Sequence, residues 1–114
     1  MTHPTVIRPS EHARWRPEAM GKSTLYESPH LLVGVNAFEP GQSHALHAHA
    51  GMDKVYLVVE GEGLFLLSDA RLPMRAGDLL VAPDGVPHGV ENNSSGRLLV
   101  MALLAPGPSS VHGR

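Results

Sequence analysis

Turn residues set the first limit on this chain. Twelve glycines and ten prolines stand among its 114 residues. With asparagine and aspartate, they cut the apolar residues into short runs. Glycine and proline are poorly tolerated inside helices and central strands, so each cluster marks a break between elements. Between the breaks no segment repeats at the 3.6-residue spacing of an amphipathic helix. Short β-rich runs remain at 23–27, 31–39, 43–49, 55–59, 64–68, 72–74, 79–81, 88–91 and 97–104. Turn signals separate most of them, among them Pro40-Gly41, Glu60-Gly61, Gly77-Asp78, Pro83-Asp84-Gly85 and the stretch 92–96. Eight to ten short strands of this kind predict an all-β sandwich or barrel.

The length corresponds to one domain. Charged residues are 18% of the chain and the net charge is -2, which excludes a basic nucleic-acid surface and an acidic disordered tail. Aromatic residues are only 4%, so the core must be built mostly of Val, Leu, Ala and Met. There are no cysteines, hence no disulfide, thiolate metal site or Cys nucleophile. Met1-Thr2-His3-Pro4 lacks a basic region followed by an apolar one, and no apolar run reaches 18 residues. The expectation is a cytoplasmic protein with no membrane partner. Residues 1–21, with Pro4, Pro9 and Pro17, read as an N-terminal arm, with one short edge strand near Thr5-Val6-Ile7. Trp15 would anchor this arm on its own domain or on a second subunit. Residues 22–105 form the barrel, and the Pro/Gly/Ser-rich stretch 106–114 is a flexible tail.

The chemistry sits in the histidines. His47 and His49 are two residues apart, which on a strand puts both side chains on one face. Imidazoles suit Zn, Cu, Fe and Ni. A third ligand must come from a neighbouring strand, and His88 follows a rigid Pro83–Pro87 turn that would fix its direction. Gly21-Lys22-Ser23 is not a phosphate loop, because residue 16 is Arg where a glycine is needed. No spacing suggests a facing carboxylate pair or a Ser/His/Asp set.

Two stretches carry a family resemblance. Gly41 is followed by five residues, His47-Ala48-His49, four residues, Lys54, six residues and Gly61. Gly77, Pro83, Gly85, His88 and Asn92 follow at the spacing of a second motif. Together they resemble the two motifs of the cupin superfamily, in its small single-domain, conserved-barrel form. The resemblance covers about 30–105. It implies a double-stranded β-helix (jelly-roll) barrel with a cavity where the histidines converge. It also implies a divalent transition metal (Fe, Mn, Zn or Ni) on His47, His49 and His88, and a homodimer.

One position departs. Where the family places a metal-binding Glu, this chain has Lys54. An ammonium has no lone pair to give and repels a cation. Asp53 is adjacent, but on a regular strand it points to the opposite face unless a bulge near Gly51 reverses it. Three arrangements follow: three histidines alone, with Lys54 beside them (paired with Asp53 or Glu62, or holding an anion); a fourth ligand from Asp53 or His44; or a metal-free pocket. His44 has the wrong strand parity and needs a bend between Ser43 and Leu46. Lys54 and Tyr56 are the candidate catalytic side chains, and Asn92 should set turn geometry. Three functions stand: a metal-dependent enzyme of dioxygenase, isomerase or decarboxylase type on a small polar or anionic substrate; a binding or sensing module without turnover; or a structural dimer whose site is vestigial, with Lys54 as its support.

Overall fold

Nine strands form among the residues described, 4–108 of a computed structural model. They are β1 (Gly21–Glu27), β2 (Leu32–Phe38), β3 (Ser43–His47), β4 (Asp53–Glu60), β5 (Glu62–Leu66), β6 (Arg71–Arg75), β7 (Leu79–Ala82), β8 (His88–Glu91) and β9 (Leu98–Ala105). All but β3 stop close to a turn residue. At the β4–β5 corner Gly61 has φ 83°, and a Cβ there would run into the carbonyl of Arg97. Only glycine satisfies both limits.

The strands pair antiparallel into two sheets. One has the order β1-β2-β9-β4-β7 and the other β3-β8-β5-β6. The two sheets form the double-stranded β-helix. Between them lies the core: Phe38, Tyr56, Val58, Phe65, Met74, Val90, Leu98, Val100 and Ala102. It is aliphatic for the most part, as the low aromatic content requires. No helix among the described residues is long and apolar enough to cross a membrane.

The arm differs from expectation. Residues 5–7 form no strand, and the first element is a 3-10 turn at Pro9–His12. Pro9 opens that turn, where its fixed φ and missing N–H suit a helical start. Trp15 packs with Ala13 on the outer face of the first sheet, against Val35, Ala37 and Leu99. The Arg97 guanidinium covers the ring at 4.6 Å. The tryptophan is therefore an anchor on its own chain. It also explains why β2 is buried on both faces from Gly34 to Phe38. Most of the expected tail, 109–114, lies outside the described residues.

Candidate metal centre

His88 starts β8, which is hydrogen-bonded on both sides, to β3 and β5. The turn before it closes through Gly85, at φ 77°, and through a Val86 N–H to Pro83 carbonyl bond of 3.0 Å. The ring is 1% exposed. Its Nδ1 lies 2.8 Å from the Val86 carbonyl, and the His47 Nδ1 lies 2.8 Å from the Ala45 carbonyl. A carbonyl only accepts, so in both rings Nδ1 donates its proton and Nε2 keeps its lone pair. Such a backbone partner fixes tautomer and ring direction. The Nε2 atoms of His47, His49 and His88 are all buried without a hydrogen-bond partner. Each residue offers a ring nitrogen within 4.8 Å of the other two. This donor set fits a borderline divalent ion.

His47 and His49 do not share a face by strand parity. Strand β3 stops at His47, and His49 stands in the loop beyond. Three ties hold that loop. The Gly51 N–H donates to Asp84 Oδ1 (2.6 Å), the Asp84 N–H donates to Asp53 Oδ1 (2.9 Å), and the Gly85 N–H donates to the His49 carbonyl (3.2 Å). Asp53 is thus spent on the turn, exposed and facing away from the histidines. No bulge reverses it: β4 keeps a regular register with β9 from Asp53 to Val58. Asp53 stands outside the three-nitrogen set.

His44 does gain the bend it needs. Along β3 and β8 the pairing runs from His44↔Val90 to His47↔His88, so three steps on one strand oppose two on the other. This bulge brings the His44 ring to 4.1 Å from that of His47, centroid to centroid. Its Nδ1 is buried and unpartnered, yet His44 stands outside the three-nitrogen set. It belongs to the cavity wall.

Lys54 points inward and is 4% exposed, with Nζ 4.8 Å above the centroid of the Tyr56 ring. Among the described residues it forms no ion pair with Asp53 or Glu62. Tyr56 itself is fully buried and stacks on Phe65, centroids 5.9 Å apart. It is a core residue and not part of the cavity lining. Asn92 is fully buried. Its side-chain amide donates to the Phe38 and Gly96 carbonyls, and its oxygen accepts from the Ser94 N–H.

His47 and His49 open into a cavity of about 290 Å³, and His88 lies behind them, its ring centroid 4.4 Å from that of His47. Lys22, Lys54, Asn36 and His44 line it with His47 and His49, and no carboxylate does. Lys22 is a site residue that sequence reasoning passed over. Only the β1–β2 register, which sets it opposite Asn36, brings it here. Burial, then Lys22, lowers the Lys54 pKa to about 8. Burial, then His47, lowers His44 to about 3. Burial, then Lys54, lowers His49 to about 4. The imidazoles are therefore neutral near pH 7, the form that can donate a lone pair.

Comparison with known proteins covers the same segment. A family model described as Cupin domain matches residues 34–104. The chain is 34% identical over 85 residues to the oxalate-binding protein of Thermotoga maritima, covering 75% of this chain and 69% of that one. Its structure matches TT1209 from Thermus thermophilus with a TM-score of 0.85 and 35% identity, over 90% of this chain and 98% of the other. An RmlC-like cupin protein from Desulfovibrio desulfuricans matches at TM-score 0.82 and 29% identity, over 91% and 98%.

Proposed function

The chain belongs to the cupin domain family, and from that premise we propose that it holds one divalent transition metal on His47, His49 and His88 and binds a small anionic molecule beside it. The observation that carries this reading is the convergence of three buried Nε2 atoms that no protein group satisfies. Buried polar groups are seldom left unpaired without a reason. Fe, Mn, Zn and Ni all accept imidazole nitrogen. An ion held by three histidines supplies a Lewis acid with coordination positions to spare.

The ligand is small, because a cavity of about 290 Å³ is at the low end for organic ligands. It is anionic, because the lining carries Lys22 and Lys54 and no carboxylate. The name of the Thermotoga relative supports the same class, small dicarboxylates. That name also supports binding as the proposed role, ahead of turnover. The fold alone does not choose between binding and catalysis. Elemental analysis of tag-free protein, before and after a mild chelator and reloading, tests the centre. About one metal per chain is expected, absent from His47→Ala. No metal after reloading overturns the reading. Oxygen uptake or loss of an offered dicarboxylate by the loaded protein would move the assignment from binder to enzyme.

A homodimer is part of the same proposal. Val33, Leu103, Val55 and Val81 form one cross-strand row on the outer face of the first sheet, with Met101, Leu57 and Leu79 beside it and Val35 of the second row covered by Trp15. Leu79 and Val81 are 57% and 53% exposed. Neither row carries a charge across β2, β9, β4 and β7, so a partner with a complementary charge pattern has nothing to recognise. A second copy offers the matching flat apolar sheet. Light scattering should give twice the chain mass, falling to the monomer in Leu79→Glu. A wild-type monomer removes the dimer from the proposal.

A further inference from the structure

Lys54 stands at the motif position where the cupin resemblance leads one to expect a carboxylate. It is 4% exposed, lines the cavity, and has no carboxylate partner among the described residues. A buried charge without a partner is costly, and a cation next to it raises that cost. Lys22 adds a second ammonium on the same wall. A glutamate at position 54 would neutralise charge and close the coordination shell. Lysine does neither. Loaded with a divalent ion, the cavity holds that ion and two ammonium groups against no protein anion.

We propose that Lys54 and Lys22 form a dianion anchor, so that the metal and a small chelating dicarboxylate bind as a coupled unit and neither binds well alone. The inference rests on the three-histidine reading above. The ligand supplies both things the protein omits: oxygens for the metal's remaining positions, and negative charge for the two ammonium groups. A monocarboxylate supplies half the charge, and a neutral molecule supplies none. Coupling of this kind is reciprocal, so the factor by which the anion tightens the metal equals the factor by which the metal tightens the anion.

The test measures Mn²⁺ affinity by equilibrium dialysis, with free Mn²⁺ clamped by a metal buffer, in the presence of oxalate, acetate or neither. Matching free metal removes the effect of oxalate chelating Mn²⁺ in solution. Oxalate should tighten Mn²⁺ at least about fivefold, the lower end of ordinary coupling, and acetate should do much less. Lys54→Glu should bind Mn²⁺ more tightly than the wild type without oxalate and lose the oxalate effect. Lys22→Met changes an exposed residue and should fold normally. It should reduce the oxalate effect without abolishing metal binding. Equal wild-type affinity with and without oxalate overturns the coupling and leaves the metal centre standing. An oxalate effect undiminished in both variants overturns the role of the two lysines. No Mn²⁺ bound by the wild type or by Lys54→Glu, with or without oxalate, overturns the metal reading and the coupling together.

Discussion

His88 and His49 reach the same point by opposite routes. His88 is set by the middle of a sheet: β8 is paired on both sides, its ring is 1% exposed, and its Nδ1 is held by Val86. His49 lies beyond the end of an edge strand, held through its own carbonyl by the Gly85 N–H and through the bonds among Gly51, Asp53 and Asp84. One nitrogen is placed by packing and the other by a polar tether. A ligand set built this way has a rigid side and a side whose order depends on a few hydrogen bonds. The proposed site should therefore fail differently when each side is cut.

The largest effect is expected from the ligands themselves. Loss of an outer-shell partner already costs 10–100-fold in metal affinity, so His88→Ala and His49→Ala should each cost more than about 100-fold. The two variants should separate in the metal-free protein. His88→Ala leaves a void in a packed interior and lowers the unfolding temperature. His49→Ala truncates a loop residue and leaves it nearly unchanged. Equal destabilisation by both, in thermal scans with chelator present, breaks the comparison.

Next comes the far end of β8. Asn92 ties it to the end of β2 through the Phe38 carbonyl and closes its own turn through Gly96 and Ser94. Asn92→Ala strands buried backbone groups and should cost about 2 kcal/mol of stability in urea unfolding. Metal affinity per folded molecule should change little, because the ring of His88 is fixed from the other end. The tether gives the contrasting result. Asp84→Ala removes the acceptor for the Gly51 N–H. It should weaken metal binding about tenfold while leaving stability nearly intact, since the loop is exposed. Metal titration and urea unfolding on the same two variants check the crossed pattern. A destabilised Asp84→Ala with unaltered metal affinity would show that the tether serves the fold and not the site.

The same contrast governs what could be read from the amino-acid sequence. The rigid side was legible, because turn residues and motif spacing describe it directly: Pro83, Gly85, His88 and Asn92 lie where a tight turn and a buried strand need them. The tethered side was legible only in outline. Strand alternation pairs His47 with His49, but β3 ends at His47 and its bulge lies before it, between His44 and His47. A bulge inserts one residue without a composition signal when its residues are not glycine. For the same reason the parity argument placed His44 outside the cavity unless the strand bent, as it does. Lys54 and Asp53 obeyed simple alternation because β4 is regular there. Lys22 was invisible, since a side chain enters this cavity only through the pairing of β1 with β2, a contact between strands that no local pattern encodes. The arm shows the same limit: Thr5-Val6-Ile7 has strand propensity, but it pairs with no strand.

The smallest expected effect concerns the wall that both histidine routes face. Burial and Lys22 hold the Lys54 pKa at about 8, against an ordinary value of 10.5. Between those values the unfolded chain keeps a proton that the folded one releases. Stability therefore rises with pH across this window, and the contribution is lost as pH falls towards 8. Burial pushes the Tyr56 hydroxyl above its ordinary value of 10, so above pH 10 the unfolded phenol ionises first and stability declines. The metal-free, anion-free protein should thus gain unfolding temperature from pH 8 to about 10 and then lose it. In Lys54→Met the rising limb should flatten, while the decline above pH 10 remains. Adding Mn²⁺ and oxalate to the wild type should flatten the same limb, because an anion beside the ammonium removes the reason for its lowered pKa. A rising limb that survives in Lys54→Met assigns it to another group and leaves Lys54 without the electrostatic strain that the dianion is proposed to relieve.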